Sequence, residues 1–255
     1  RGASRSRRWI MTLATLAAVL TGLGGAEAAG AAVFQVTNAD DPGTGTCAPG
    51  NCSLRDAINA ANGGSGSDTV LVPPGTYVLK AGVLEIANGM HIVGTSGAPV
   101  TVIDANGASG ILKLNGTVGS ASISGLTLTR GLLPGQGSAI TDLAAQLTLT
   151  EDAFSLNSSG NAGASGYGAV DVEGSGTKTL SVTASSFSHN AAGGEGTAVT
   201  SSGQGDGGAI AFHPATGTLS VEGSTFTENS AGGNGGEGTS SAQGGGGAIE
   251  AFGNT

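Results

Sequence analysis

The 255-residue sequence predicts an all-β fold, a right-handed parallel β-helix (a solenoid) with a short N-terminal capping helix. Three observations lead to this prediction: an unusual composition, an internal repeat, and evenly spaced short apolar runs. The chain contains 49 Gly residues, and only 11% of its residues are charged. Ordinary globular domains have about 7% Gly and roughly 25% charged residues, so this chain must fold with many tight turns.

The internal repeat occupies residues 147–157, 180–190 and 219–229, which align without gaps. Each copy has two apolar residues two positions apart, a Phe five residues after the second, and an Asn three residues after the Phe. The Gly- and Ser-rich segments between copies, such as 191–207 and 230–246, vary in length. A constant segment joined to a variable one is typical of a solenoid coil with a loop leaving it.

Two structural rows follow from this repeat. In a parallel β-helix, equivalent strands of successive coils pair about 4.8 Å apart, so equivalent residues stack on one another. The Phe residues are expected to form an interior aromatic stack, and the Asn residues a hydrogen-bonded ladder at a turn where Asn tolerates left-handed backbone. The rows are Phe154, Phe187 and Phe226, and Asn157, Asn190 and Asn229. Packing is the commoner role of buried aromatic residues, and a ligand-stacking platform is the rarer one.

Earlier in the chain, short apolar runs such as 70–72, 83–86 and 111–114 are separated by Gly, Pro and Asn turns. Runs this short favour a solenoid over a sandwich of long strands. The coils are therefore expected over residues 67–255. Because a solenoid needs an end cap and none follows the last strand-like segment, we expect the stack to continue in a longer protein.

The first 28 residues have the pattern of a secretory signal peptide. Four Arg residues precede an apolar run from Trp9 to Leu20, and Ala26-Glu27-Ala28 fits a cleavage site. A retained membrane anchor is the alternative, but a bilayer span needs about 20 predominantly apolar residues and this run is shorter. No other segment is apolar enough to cross a membrane. The mature protein is expected to be secreted or at the cell surface, without a membrane span.

The charge of the mature chain argues against nucleic acid as a partner. Removal of residues 1–28 takes away four Arg and one Glu, which leaves 5 basic and 17 acidic residues and a formal charge of −12. Such a surface repels a polyanion, and no basic or aromatic cluster compensates.

Residues 29–66 are expected to form an N-terminal cap. Cys47 and Cys52 are separated by a Pro-Gly turn and, in an oxidising compartment, should form a local disulfide rather than a metal site. A helix should follow from Ser53, the N-cap, with Asp56 three residues later as in a capping box. This short amphipathic helix can cover the open end of the strand stack.

Residues 52–57, Cys-Ser-Leu-Arg-Asp-Ala, resemble the CSLREA motif of secreted bacterial β-helix proteins, with Asp56 in place of the usual Glu. From about residue 70, the pattern is similar to that of pectate-lyase-like β-helices. The Gly-Gly-Ala-Ile elements at 207–210 and 246–249, with Phe226-Thr227-Glu228-Asn229, resemble repeats of polymorphic outer membrane proteins. These resemblances imply surface display, with adhesion or the binding of glycans or cell-surface partners.

Polysaccharide cleavage is the rival function, because the same fold also supports lyases and hydrolases. A lyase needs carboxylates for Ca²⁺ and a basic residue, and a hydrolase needs paired carboxylates. The candidate acids do not recur at equivalent coil positions, and Arg130 is the only Arg after Arg55. Those acids are Asp104, Asp142, Asp152, Asp171 and Asp206. No catalytic residue, cofactor or metal site is therefore predicted.

Export should remove residues 1–28, because the Arg-rich start, the apolar run and the Ala-x-Ala site occur in the order that signal peptidase requires. Intact-mass analysis of the exported protein should give Ala29 as the first residue. A mature protein that still contains Trp9 would contradict the secretory interpretation.

Overall fold

A computed structural model of the chain describes residues 30–43, 46–64, 67–160, 165–193, 205–232 and 245–252. The predicted signal peptide, residues 1–28, lies outside the described residues. The predicted parallel β-helix with one N-terminal helix is confirmed, since three long sheets contain only parallel strand pairs. Parts of the predicted variable segments 191–207 and 230–246 also lie outside the described residues.

Each of six coils contributes one strand to each of the three sheets, and β1 adds a seventh strand at the start of the first sheet. In spatial order, the first sheet is β1 (Val33–Gln35), β2 (Asp68–Val72), β5 (Met90–Gly94), β8 (Ala121–Ser124), β11 (Gln146–Thr150), β15 (Thr177–Thr183) and β20 (Thr216–Glu222). The second is β3 (Gly75–Val78), β6 (Thr101–Asp104), β9 (Thr127–Thr129), β12 (Ala153–Ser155), β16 (Ser186–Ser188) and β21 (Thr225–Thr227). The third is β4 (Leu84–Ile86), β7 (Leu112–Leu114), β10 (Ile140–Asp142), β14 (Val170–Val172), β19 (Ile210–Phe212) and β23 (Ile249–Ala251).

Alternation along the strands separates the core from the outer faces. In β11, Leu147 and Leu149 are fully buried, whereas Thr148 between them is exposed. The register keeps this pattern between coils, because Leu147 pairs with Leu180. Successive side chains of a strand point to opposite faces, so the apolar residues of all three sheets meet inside the coil.

The three Phe residues form a continuous stack along the second sheet. The Phe154 and Phe187 ring centroids lie 4.6 Å apart with planes 5° from parallel, and those of Phe187 and Phe226 lie 4.9 Å apart with planes at 4°. Leu128 and Ile103 continue the same row in the preceding coils. Phe154 and Phe187 are fully buried, so the stack forms part of the core.

The Asn ladder lies just after these strands. The Asn157 side-chain amide donates to the Asn190 Oδ1 atom at 2.9 Å, and Asn190 donates to the Asn229 Oδ1 atom at 2.9 Å. Asn190 also donates to the Phe154 carbonyl at 3.0 Å, and its Oδ1 atom accepts the Asn157 backbone N–H at 3.2 Å. The ladder therefore satisfies backbone groups that would otherwise be buried without partners.

The residue before each Asn, and not the Asn itself, has the left-handed backbone at this turn. The prediction that the Asn residues adopt this conformation is therefore wrong. Leu156, His189 and Glu228 have φ values of 58°, 55° and 53°. The Leu156 side chain is 58% exposed. The residue that reverses the chain points outward, whereas the Asn must direct its amide along the stack.

A second polar ladder, which the repeat alignment did not identify, precedes the Phe stack. Asp152, Ser185 and Ser224 each lie two residues before a Phe. The Asp152 backbone N–H donates to the Ser185 Oγ atom at 3.2 Å, and the Ser185 N–H donates to the Ser224 Oγ atom at 3.1 Å. The Phe stack thus lies between two ladders of side chains. In both ladders, side-chain oxygens accept hydrogen bonds from backbone N–H groups of the preceding coil.

The predicted cap consists of a disulfide and one helix. The disulfide between Cys47 and Cys52 is confirmed. Helix α1 (Leu54–Asn62) begins after Ser53, whose Oγ atom accepts the Asp56 N–H at 3.1 Å. The apolar side chains of α1 are buried, and α1 packs against β1, β2 and β4. The helix therefore covers the first coils.

Arg55 of the CSLREA-like motif connects this cap to the first coil. Its guanidinium donates to both carboxylate oxygens of Asp41, at 2.7 and 3.0 Å, and to the Val83 carbonyl at 2.8 Å. Burial opposes ionisation of Asp41, but hydrogen bonds from Arg55 and from the Ala81 and Lys80 amides outweigh it and lower the pKa of Asp41. This buried, bidentate pair is typical of Arg rather than Lys.

Two strands of the three long sheets were missed at the sequence level, β1 and β10. Ile140 of β10 follows Gly137-Ser138-Ala139 and pairs with Val170, which makes this segment an earlier copy of the Gly-Gly-Ala-Ile element. Within the described part of the chain, no helix has the length and apolar content to cross a membrane.

Replacing Asn190 with Ala should reduce the free energy of unfolding by about 2 to 4 kcal/mol, because several buried polar groups lose their partners at once. Chemical denaturation of the purified protein would measure the change. Ser188→Ala, two residues away on the outer face of β16, is the matched control and should change stability by less than about 0.5 kcal/mol. Equal effects of the two substitutions would contradict the structural role of the ladder.

Candidate functional site

The connections between the second and third sheets lengthen along the stack. They comprise residues 79–83 and 105–111 in the first two coils, 130–139 and 156–169 in the next two, and 189–209 and 228–248 in the last two. The connections at the other two corners remain short. All long segments therefore leave the β-helix at one corner.

Two additional two-stranded sheets form where these long connections stack. They pair β13 (Gly166–Tyr167) with β18 (Gly205–Asp206), and β17 (Ala191–Ala192) with β22 (Ser230–Ala231). A Cβ atom on Gly205 would lie 2.1 Å from the Ala192 carbonyl oxygen, and one on Gly208 would lie 2.4 Å from the Ser230 carbonyl oxygen. Gly is needed here because the outgoing and returning backbones approach this closely.

The returning segments form a cleft beside the outer face of the third sheet. It has a volume of about 150 Å³ and is lined by Gly135, Ser165, Gly166, Tyr167 and Asp206. Tyr167 and Asp206 are adjacent because they pair across β13 and β18.

Aromatic side chains extend this site along the stack. Tyr167 packs edge-on against His213, with ring centroids 4.9 Å apart and an angle of 73° between the planes. The His213 ring is in turn 5.2 Å from that of Phe252, whose side chain is 56% exposed. Apolar ring surface is therefore available next to the cleft.

Asp171 contributes a buried acid beneath these loops. It occupies the middle, outward position of β14, pairs with Thr141 and Ala211, and is fully buried. Neither of its carboxylate oxygens has a hydrogen-bond partner of normal geometry. Burial, and then the Glu173 charge, raise the pKa of Asp171 to about 8, although the nearby Gly137 amide partly opposes them.

Glu250 of β23 lies two strands further along this outward row, after Ala211. Its carboxyl group lies beside that of Asp206. Burial, followed by the Asp206 charge, raises the pKa of Glu250. Two neighbouring carboxyl groups cannot both ionise without mutual repulsion, which favours the protonated form of Glu250.

We use the name acidic cleft for Tyr167 and Asp206, which line the cleft, together with Asp171, His213 and Glu250 next to them. Burial, followed by the charges of Asp171 and Asp206, raises the pKa of Tyr167. Burial lowers the pKa of His213 despite the negative charges of Asp206 and Glu173, so its imidazole is neutral at pH 7. The cleft is therefore acidic, without a cationic side chain among these five.

The structure separates the other predicted acids from this site. Asp104 accepts the Arg130 Nε–H at 2.8 Å, and this ion pair lowers the pKa of Asp104 although burial opposes it. Asp142 faces the core in register with Leu114 and Val172. These side chains stabilise coils and corners rather than forming one reactive group.

Of the five candidate acids, Asp171 and Asp206 are brought close together, and Glu250 joins them. The sequence reading missed this group because Asp206 lies on a returning loop strand rather than in the coil. One signal was present: Asp171 and Glu250 each directly follow a Gly-Ala-Val or Gly-Ala-Ile element. Within the described ranges, no three metal-ligating side chains converge as a metal site.

Searches of protein-family models, curated proteins and solved structures found no match to this chain.

Asp152 should make the protein less stable as the pH rises. Burial raises its pKa to about 7, even though the Leu126 and Thr150 amides donate to it at 2.9 and 3.1 Å. The stability due to this protonated group is complete below its unfolded pKa of about 4 and is lost progressively as the pH rises through about 7. Asp142 and Asp171, whose pKa values are raised to about 6 and 8, should also make the protein less stable as the pH rises.

Asp152→Ser, which introduces the residue type of the next two coils, should reduce this pH dependence by up to about 1.4 kcal/mol per pH unit between pH 4 and 7. Urea denaturation at several pH values would measure it. Asp40→Ser, at a carboxylate 74% exposed, is the matched control. An unchanged slope in Asp152→Ser would show that this acid does not fold in its protonated form.

Proposed function

We propose that this chain is an exported β-helix scaffold that binds glycans at the acidic cleft, either at a cell surface or in the extracellular medium. The observation that supports it most is the edge-on pair of Tyr167 and His213 beside Asp206. Ligand sites commonly combine aromatic surface with a few polar groups that fix orientation. Aromatic rings can cover the apolar faces of sugars, and carboxylate oxygens can accept hydrogen bonds from sugar hydroxyls.

Export is supported by the signal-peptide pattern of residues 1–28 and by the Cys47–Cys52 disulfide, a bond that persists in oxidising compartments. The resemblance to CSLREA-motif proteins and to polymorphic outer membrane proteins points the same way. In this proposal, the coils act as a rigid support, and the loops of one corner present the binding surface.

Glycan cleavage at the same cleft is the second candidate. It is favoured by the neighbouring carboxyl groups of Asp206 and Glu250, since glycosidases use one protonated and one ionised acid. We rank it below binding because Asp171, the most strongly shifted acid of the cleft, is fully buried and has no access to a sugar. The cleft also has no Lys or Arg to stabilise developing negative charge.

His213→Ala should weaken glycan binding at least tenfold, because the substitution removes the ring on which Tyr167 packs. Binding of the purified protein would be measured on a panel of neutral, amino and acidic oligosaccharides. The matched control is His91→Ala, which changes an exposed His on the outer face of the first sheet and should leave binding unchanged.

The same panel tests for catalysis. New reducing ends or unsaturated products that disappear in Asp206→Asn would make the enzyme the leading function. Equal binding by the His213 and His91 variants would place the glycan site elsewhere, and the absence of binding to every oligosaccharide would contradict the proposed function.

A further inference from the structure

We propose that another cavity, at the corner between the third and first sheets, binds a small tetrahedral oxyanion, inorganic phosphate or sulfate. The cavity has a volume of about 160 Å³ and is lined by Gly116, Leu143, Gly174, Ser175 and Lys178. It shares no lining residue with the acidic cleft. The inference is therefore independent of the proposed glycan-binding function.

Three successive connections between the third and first sheets build this cavity. Gly116 follows β7, Leu143 follows β10, and Gly174 and Ser175 follow β14. Gly116, Gly174 and Ser175 are exposed, and the connections to which they belong are short. A small ligand can therefore enter from solvent without passing the long loops of the other corner.

Lys178 places a buried positive charge at this cavity. It occupies an inward position near the start of β15, where the next coil has Gly217, and it is only 6% exposed. Lys is almost never fully buried unless its charge has a partner. The ammonium group lies against the Gly174 turn, since a Cβ atom on Gly174 would be 3.6 Å from the Lys178 Nζ atom. The fold therefore holds an ammonium group at the wall of the cavity.

This ammonium group has hydrogen-bond donors to spare. It carries three N–H donors, and one of them binds the Leu143 carbonyl oxygen. Among the described residues, Lys178 forms no ion pair and no second side-chain hydrogen bond. Because an unpartnered buried charge is costly, the two remaining donors favour a ligand that accepts hydrogen bonds and carries negative charge.

The turns that line the cavity supply further donors. The backbone N–H groups of Gly116, Gly174 and Ser175 donate to no acceptor within the part of the chain that the structure describes. Backbone N–H groups of successive turn residues form concavities that bind anions. Together with Lys178, they offer more donors than acceptors, which matches the several acceptor oxygens of phosphate or sulfate.

Neighbouring acids limit which anions this cavity can accept. Burial raises the pKa of Asp142 to about 6, and the Lys178 charge partly opposes that rise. Asp142 and Lys178 therefore interact, but they form no ion pair, so Asp142 weakens anion binding without occupying the ammonium donors. Glu173 precedes Gly174, and the whole chain has a formal charge of −9. A polyanion would meet this repulsion along its length, whereas a small anion gains the direct hydrogen bonds.

Isothermal titration calorimetry of the purified chain with sodium phosphate and sodium sulfate, at constant ionic strength and pH 7, would test the site. Both anions should bind. Lys178→Met keeps the apolar stem of the side chain but removes its charge, and it should weaken binding at least tenfold. Lys80→Met, at an exposed Lys of the cap, is the matched control and should not change the affinity. Equal affinities of these two variants would overturn the assignment to Lys178.

Gly116→Val tests the cavity without removing a charge. A Cβ atom on Gly116 would lie 3.8 Å from the Leu143 carbonyl oxygen, an ordinary contact, so this variant should fold. Its larger side chain takes up space that the anion needs, and binding should weaken at least fivefold. Gly119→Val is the matched control, because a Cβ atom on this Gly of the same connection has no neighbour within 4 Å. Unchanged binding by Gly116→Val would place the anion outside this cavity.

Two further titrations complete the test. Asp142→Asn should tighten phosphate binding at least twofold, because it removes the opposing charge and retains the side-chain oxygen. A sulfated tetrasaccharide should bind more weakly than inorganic sulfate, and tighter binding of the tetrasaccharide would overturn the preference for a free anion. If neither inorganic anion binds the unmodified chain, the proposal is wrong, whatever the glycan panel shows for the acidic cleft.

Discussion

Each residue of this molecule must be compatible with the residue one coil above it and the residue one coil below it. Parallel strands in exact register repeat that constraint about every 4.8 Å along the axis. Hydrogen bonds of the Asn ladder enforce it, because Asn190 has a donor for one neighbouring coil and an acceptor for the other. A change of register would separate these amides and also the stacked Phe rings. The side-chain hydrogen bonds and the aromatic packing therefore require the same strand register.

This constraint also determines where the chain can vary. At the corner between the first and second sheets, the connections that follow β11, β15 and β20 have only two residues each, and they contain left-handed residues such as Glu151 and Ala184 and the ladder of Asp152, Ser185 and Ser224. After the Asn ladder, the long connections begin, and the chain re-enters the third sheet through Gly residues. Loop growth in these coils is therefore confined to one corner, where β13 pairs with β18 and β17 pairs with β22 between successive coils. The acidic cleft is a consequence of this confinement, since Tyr167 and Asp206 meet only because their loops return in register.

The sequence predicted the coil accurately and the cleft poorly, for a physical reason. Phe154, Phe187 and Phe226 repeat at aligned positions, and so do the Asn residues, because stacking demands similar side chains in every coil. Residues of the cleft need not resemble the residues at the same position in neighbouring coils. Asp171 and Glu250 share a row with Thr141 and Ala211, so the repeated Gly-Ala element marks the position but not the acidic side chain. The left-handed positions were misassigned because Leu156, His189 and Glu228 share a backbone conformation but no chemistry. The backbone conformation at this turn is set by the position of the Asn that follows, and not by the side chain of the left-handed residue.

Asp171 differs from the residues that build the coil, because its buried carboxyl group lowers stability. The neighbouring coils place Thr141 and Ala211 at its position, residues that could occupy a buried outward row without charge. A carboxyl group there, with its pKa raised to about 8 by burial, destabilises the fold whenever it ionises. Asp152, also buried, differs because two backbone amides donate to it and the coil depends on those bonds. Beside Asp171, the Gly137 amide offsets burial only in part, and the Asp171 charge raises the pKa of Tyr167 in the cleft. The coil therefore gains less from Asp171 than from Asp152, and the charge of Asp171 is exerted on Tyr167 instead.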